Sequence, residues 1–398
     1  MLTLLAWSLR GLLVLVVLNW VGLALRTWKG RSERRFHLYP DDEPLPSPAP
    51  GVSVVIPARD EVGNIAACLD AVLAQDHPTL QVVVLDDGST DGTSLLLEGY
   101  ADDPRVQVVQ GSGDPPPGWF GKPWAVERAQ RHATQPWLLF IDADVRLHPH
   151  AVSRTLAYAV RNELGMISGF GTLITESFWE RVLMPVVGGL IVAGNDTAEV
   201  NDPTKADKAM ANGQFILFER GAYERIGGHG AVRNDVLDDV GLARAVKAAG
   251  VPFHMTFMRP LFACRMYTGL GEIWRGWRKN LFAGMHYRWG VVAAVLVYLF
   301  ISNLLPWVLL PFAAAGLLGA EWLAWSVGLI LLMQVVRFYL DRVFSHPVAY
   351  GLTQVLGVAM VMLLVLDSAW SSTRGRVAWK GRSVDVAASP KRGDGESP

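Results

Sequence analysis

Apolar residues are not spread evenly along this chain. No charge falls between Arg10 and Arg26, Glu321 is the one charged residue from 289 to 336, and Asp367 is the one from 343 to 373. A helix that spans a bilayer needs about 20 apolar residues. The pattern predicts one membrane helix at the N-terminus and two or three after residue 289, drawn from stretches at about 291–315, 319–340 and 347–369. Between these ends the pattern changes. Residues 52–57, 81–85 and 137–141 are short apolar runs closed by proline or by acidic residues, which read as buried strands. Helices are expected over 62–75 and 91–100, with a short strand at 106–109. Such alternation predicts an α/β domain with a mostly parallel sheet, helices on both faces, and a ligand site beyond the carboxyl ends of the strands.

Five segments follow: an N-terminal anchor at 1–26, a basic and proline-rich linker at 27–50, the α/β domain at 51–288, a C-terminal membrane region at 289–372, and a basic tail at 373–398, expected to be disordered beyond about 383. A basic cluster of Arg26, Lys29, Arg31, Arg34 and Arg35 follows the first apolar stretch, where a cleaved leader would show a small-residue cleavage site. The positive-inside rule places that cluster, and the domain after it, in the cytoplasm. The tail carries Arg374, Arg376, Lys380 and Arg382. A cytoplasmic tail requires an even number of C-terminal spans, and three apolar stretches are present.

Composition narrows the classes. With 51% hydrophobic and 18% charged residues, the bulk of the chain is neither disordered nor a coiled coil. A net charge of −1 leaves no electrostatic footprint for a nucleic-acid partner. Cys68 and Cys264 are too few for a disulfide framework or a zinc site, and suit a reducing compartment.

Candidate chemistry gathers at the strand ends. Asp142 and Asp144 leave one strand two residues apart, a spacing that can hold a divalent cation while a diphosphate supplies further oxygens; two solvated acids in a loop are the bland alternative. Asp86 and Asp87 end a second strand before a Gly-Ser turn, and Arg59, Asp60 and Glu61 follow the first. Lys122, flanked by glycine just before a helix, suits a phosphate or base. No GxxxxGK[ST] loop occurs, and no GxGxxG follows the first strand, so P-loop NTPases and dinucleotide enzymes lose their main support.

The pieces VSVVIPARDE, VVVLDDGSTDGT, GKPWAVERA and FIDADV occur in this order over about 95 residues, followed by NGQFILFERGAYERIGGHGAVRNDVLDDVGLARAVKAAG. Together they resemble the inverting family 2 glycosyltransferases of the GT-A fold, most closely a membrane-bound subgroup associated with hopanoid and carotenoid biosynthesis. The resemblance covers roughly 50–290. It implies that Pro57, Arg59, Glu61, Asp86 and Asp87 line a nucleotide pocket and that Lys122 contacts base or diphosphate. It further implies that Asp142 reaches the ribose or a metal water, that Asp144 ligates Mg2+ or Mn2+, and that Asp239, beside Asp238, is the general base. A UDP- or GDP-sugar is the implied donor and a membrane lipid the implied acceptor. The Gln-x-x-Arg-Trp motif of processive members is absent. At that place Arg275 and Arg278, with Trp274 and Trp277, either steady the diphosphate and acceptor or form a basic amphipathic helix on the membrane. Residues 182–194 are mostly apolar and too short to span; they read as a core helix or a segment dipping into the bilayer. His229 contacts sugar or acceptor, or is a turn residue. A polysaccharide or glycolipid synthase, and a non-catalytic scaffold on the same fold, stay open as alternatives.

Overall fold

The computed structural model describes residues 2–32, 34–45, 47–111, 113–375, 377–379 and 382–384. Arg376, Lys380 and the tail beyond Val384, expected to be disordered, lie outside these residues. The chain divides into two compact units. An α/β unit takes in 35–174, 195–266 and 375–398, and a helical unit takes in 1–34, 175–194 and 267–374. The helical unit thus includes 175–194 and 267–288, which fall within the range 51–288.

The strands of the α/β unit are, in chain order, β1 (Val52–Ala58), β2 (Leu80–Asp86), β3 (Val106–Gln110), β4 (Trp137–Ile141), β5 (Val145–Leu147), β6 (Met166–Phe170), β7 (Thr172–Leu173), β8 (Phe215–Glu219), β9 (Phe253–Phe257) and β10 (Phe262–Cys264). Seven of them form one sheet in the order β3-β2-β1-β4-β8-β6-β9. β8 runs antiparallel to β4 and β6, and the other pairings are parallel. β1, β2 and β4 are buried along nearly their whole length, as strands covered on both faces must be. Because successive side chains alternate, Val54 and Ile56 pack with Leu69 and Val72 of the helix Ile65–Leu73, whereas Val55 faces Val126 and Leu242.

Expected helix starts move by two or three residues, for a local reason. Glu61 and Asn64 form a turn ahead of Ile65–Leu73, and the Asp91 carboxylate accepts from Val62 N and Thr93 N, so that the next helix begins at Thr93. The chain leaves β3 through the helix Gly121–Gln130 and enters β4 on the far side of β1. That reversal opens a crevice at the carboxyl ends of β1 and β4, where ligands of such sheets bind. A second sheet, β5-β10-β7, pairs Cys264 with Val145, next to Asp144. Val377–Trp379 and Arg382–Val384 pair antiparallel.

In the helical unit, four helices among the described residues are long and apolar enough to cross a membrane: Trp7–Gly30, Trp289–Ala314, Ala320–Val343 and Val348–Thr373. Leu13, Val16 and Trp20 of the first pack with Leu329, Met333 and Val336 of the third. One chain of polar side chains inside the unit is matched by hydrogen bonds. A π-helical turn at Phe300–Leu304 presents the Ser302 carbonyl to Trp20 Nε1 at 2.8 Å. Its neighbour Asn303 accepts from Gln354, which accepts in turn from Arg337, and Arg337 holds Asp341 at 2.9 Å. Glu321 pairs with Arg10 at 2.7 Å. Three helices of spanning length follow the domain, one more than a cytoplasmic tail allows if all cross. The helix Phe178–Gly194, which contains the apolar residues 182–194, packs on Gln354–Thr373.

Candidate active site

Ends of the strands β1, β4 and β8 and the starts of two helices build a cleft in the α/β unit. Lys122, from the first turn of Gly121–Gln130, reaches Asp142 at the end of β4, with Nζ 2.6 Å from Oδ1. Asp238 and Asp239 open the helix Asp238–Ala248, where the helix dipole favours negative charge. Pro57, Lys122, Asp142, Asp238 and Asp239 line the cleft together.

Asp239 is held in place by backbone. Its Oδ2 accepts from Gly213 N at 2.9 Å and its Oδ1 from Val240 N at 2.8 Å. Burial and the adjacent Asp238 push its pKa up to about 6, against the opposing pull of Lys122 and the two amides. Lys122 responds in the opposite sense. Burial alone would lower its pKa, but Asp142, Asp238 and Asp239 raise it well above the ordinary lysine value, so it is a permanent cation. Gly213 lies beside both groups. A Cβ there would lie 3.3 Å from Lys122 Nζ and 3.4 Å from Asp239 Oδ2.

Asp144 sits one residue before β5 and takes a hydrogen bond from the Cys264 thiol. Its Oδ1 is buried without a hydrogen-bond partner. Burial, then Asp142 and Glu61, raise its pKa to about 7. A crowded carboxylate pair with an unused buried oxygen fits a divalent cation. Among the described residues no three His, Cys, Asp or Glu side chains converge as a ready cage. A cation here would therefore take its remaining oxygens from a bound diphosphate and water.

The other expected residues divide. Asp87 lies between two guanidiniums, with Oδ1 2.5 Å from Arg128 and Oδ2 3.7 Å from Arg59, whose Nη1 also donates to the Asp87 carbonyl. Gly111 packs on this arrangement, since a Cβ would come within 2.8 Å of the Asp86 carbonyl and 3.0 Å of Arg128. Asp86 is fully buried and spends both oxygens on its own turn, accepting from Ser89 N and from the Ser94 hydroxyl. It does not reach the cleft, and its contribution is the shape of the loop that carries Asp87. Glu61 accepts from Asn64, which accepts from Arg146, at the carboxyl edge of β1. Arg275 and Arg278 lie in the helical unit, on the amphipathic helix Leu270–Gly284. Arg275 is exposed there. Arg278 is 4.0 Å from Asp367, which also accepts from Trp274 Nε1 at 2.7 Å.

Two contributors, Gly213 and Arg128, are not marked in the sequence. Gly213 had no local signal. Arg128 lies within GKPWAVERA, yet nothing in that stretch says that it answers Asp87. His229, expected more as a turn residue, lines the cleft, and the two glycines before it are the signal that marked it.

Residues 53–227 match the family described as Glycosyl transferase family 2. The 4,4'-diaponeurosporenoate glycosyltransferases of Staphylococcus aureus strains MRSA252 and USA300 are each 27% identical over 353 residues, covering 84% of this chain and 88% of theirs. Among solved structures, a mannosyltransferase from Pyrobaculum calidifontis in complex with GDP-Man and Mn2+ superposes with a TM-score of 0.53 at 20% identity, over 89% of this chain and 99% of that one. At that identity the likeness speaks for the fold.

Proposed function

With a glycosyl transferase family 2 domain in residues 53–227 the protein is a glycosyltransferase, and we propose that it moves a sugar, with inversion, from a UDP- or GDP-sugar to a lipid of the membrane that its apolar helices enter. The observation that carries this reading is the cleft itself. A permanent cation, a carboxylate pair and a half-buried carboxylate with a pKa of about 6 meet at the sheet's switch point.

Inversion needs an acceptor oxygen to attack the anomeric carbon opposite the departing nucleoside diphosphate. Asp239 takes the proton of an acceptor hydroxyl as the new C–O bond forms and the bond to the diphosphate breaks. A pKa near 6 leaves Asp239 ionised at neutral pH and more basic than an ordinary aspartate. The Gly213 and Val240 amides hold its two oxygens in place. Lys122 offsets negative charge on the leaving diphosphate, and the Pro57–Asp87 side of the crevice takes the nucleoside. Asp142 and Asp144 are the residues that would hold Mg2+ or Mn2+. Such an ion neutralises charge on the diphosphate oxygens. The solved mannosyltransferase of like fold carries a ligand pair of this type, GDP-Man and Mn2+.

The acceptor in this reading is an isoprenoid lipid, carotenoid- or hopanoid-like, with a free hydroxyl, or a carboxyl group, whose proton Asp239 takes. It rests on the carotenoid acid named for the Staphylococcus relatives and on the four apolar helices. The basic flank of the first helix supports a cytoplasmic side for the domain, where nucleotide-sugars are made.

Purified protein in detergent, given nucleotide-sugars and a carotenoid or hopanoid acceptor, tests the assignment. Asp239→Asn should keep nucleotide-sugar binding and lower kcat by about 100-fold or more. Asp144→Ala should abolish the stimulation by Mg2+ or Mn2+. Full activity of either variant would sink its role, and loss of donor binding in Asp239→Asn would move Asp239 to the nucleotide pocket.

A further inference from the structure

Gly227 and Gly228 turn the chain at φ 78° and 54°, conformations that side chains rarely adopt. A Cβ on Gly228 would meet the Tyr223 ring at 2.7 Å. This turn folds His229 under Tyr223, where it is 3% exposed. The tyrosine hydroxyl accepts from His229 N at 3.0 Å and lies 2.7 Å from His229 Nδ1. Both residues are buried, and Nδ1 is the one acceptor offered to the hydroxyl hydrogen among the described residues. The hydroxyl therefore donates to Nδ1, and the ring proton resides on Nε2. Burial, with Lys122 opposing Asp238, lowers the ring's pKa to about 4 and keeps it neutral. The ring stands edge-on to Phe140 of β4 at 4.9 Å. No hydrogen bond satisfies Nε2–H within the described residues, although His229 lines the same cleft as Lys122, Asp142 and Asp239.

In the reading above, Lys122 and Asp142 mark the diphosphate end of the cleft, and Asp239 marks the attacking oxygen. What lies between is the transferred sugar. We propose that His229 presents Nε2–H to an oxygen of that sugar and thereby sets which sugar is accepted. Tyr223 is the positioning residue that fixes the donor tautomer. This inference rests on the nucleotide-sugar reading.

The test compares wild type, His229→Phe and Tyr223→Phe, as full chains in detergent, on the accepted nucleotide-sugar and on its deoxy analogues. Binding of the free nucleoside diphosphate is followed alongside. His229→Phe should lower kcat/KM about tenfold to a hundredfold, as loss of a buried hydrogen bond does, and leave nucleoside diphosphate binding within twofold. One deoxy analogue should be poor for wild type and suffer no further loss in the variant, because each change removes the same bond. Tyr223→Phe, which frees the other tautomer, should blunt the same discrimination and carries the test if His229→Phe does not fold. Equal deoxy penalties in variant and wild type, or nucleoside diphosphate binding that falls in step with kcat/KM, would overturn the proposal. A wild type that binds nucleoside diphosphate and transfers sugar, yet shows no deoxy analogue sensitive to His229, refutes this inference alone. A wild type that binds no nucleotide-sugar refutes the reading beneath it as well.

Discussion

Asp87 is buried and Asp239 half-buried, and their surroundings suit them to opposite duties. Asp87 is 4% exposed and clamped by Arg59 and Arg128, so its charge is matched within the protein. Asp239 shares its space with Asp238, and its two oxygens meet amides rather than a guanidinium. The consequence is a pH dependence. A base must be ionised, and burial with Asp238 raises this pKa to about 6. The kcat/KM should fall about tenfold per pH unit below 6 and level off above it; a profile flat from pH 5 to 8 would contradict the assignment. Stability carries the opposite sign. For an acid whose folded pKa is raised, the native state gains from protonation below the unfolded value near 4, and that gain is lost as pH rises through 6. Asp239→Asn, which cannot ionise, should therefore melt no lower than wild type at pH 8 while losing activity, and thermal melts of the two proteins decide it.

At the scale of elements, close approaches at glycine set the geometry. A Cβ on Gly171, just before β7, would lie 2.3 Å from the ring of Phe262, itself 2% exposed in β10. Gly171→Ala should cost about 1–3 kcal/mol through this overpacking, read as a lower unfolding midpoint. In the helical unit a Cβ on Gly357 would lie 2.7 Å from the Val182 carbonyl. That glycine lets Gln354–Thr373 meet Phe178–Gly194 backbone to backbone, as small residues do between membrane helices. The elements themselves were largely legible in the sequence. The apolar runs at 52–57, 81–85 and 137–141 became β1, β2 and β4, because a strand buried on both faces needs an uninterrupted apolar run. The residues 182–194 were less legible, since periodicity cannot tell which surface an apolar helix will cover.

For the whole molecule, the apolar excess resolves, among the described residues, into four helices of spanning length, and Glu321, Asp341 and Asp367, within or beside them, have partners in Arg10, Arg337 and Arg278. The side of the membrane can be measured directly, because both native cysteines are buried. An Asp41→Cys reporter in the linker should react with an impermeant maleimide only after the cytoplasmic face is opened; labelling of intact cells would reverse the orientation. A Gly375→Cys reporter reads the count of C-terminal crossings, on the same side as residue 41 for two and on the opposite side for three.

By itself the sequence determined the strands β1 to β4, the acidic clusters at their ends and the apolar helices. Each of these is a local property of pattern or length, written in neighbouring residues. It also carried the family-like order of motifs. Only the tertiary structure decided what each charge answers to. Asp86 turned inward to its own loop, Asp87 went to Arg128 at 41 residues' distance, and Asp239 went to the amide of Gly213 at 26. His229 entered the cleft through a two-glycine turn. Such contacts depend on how the sheet closes and on what burial leaves unpaired, and no spacing along the chain encodes either.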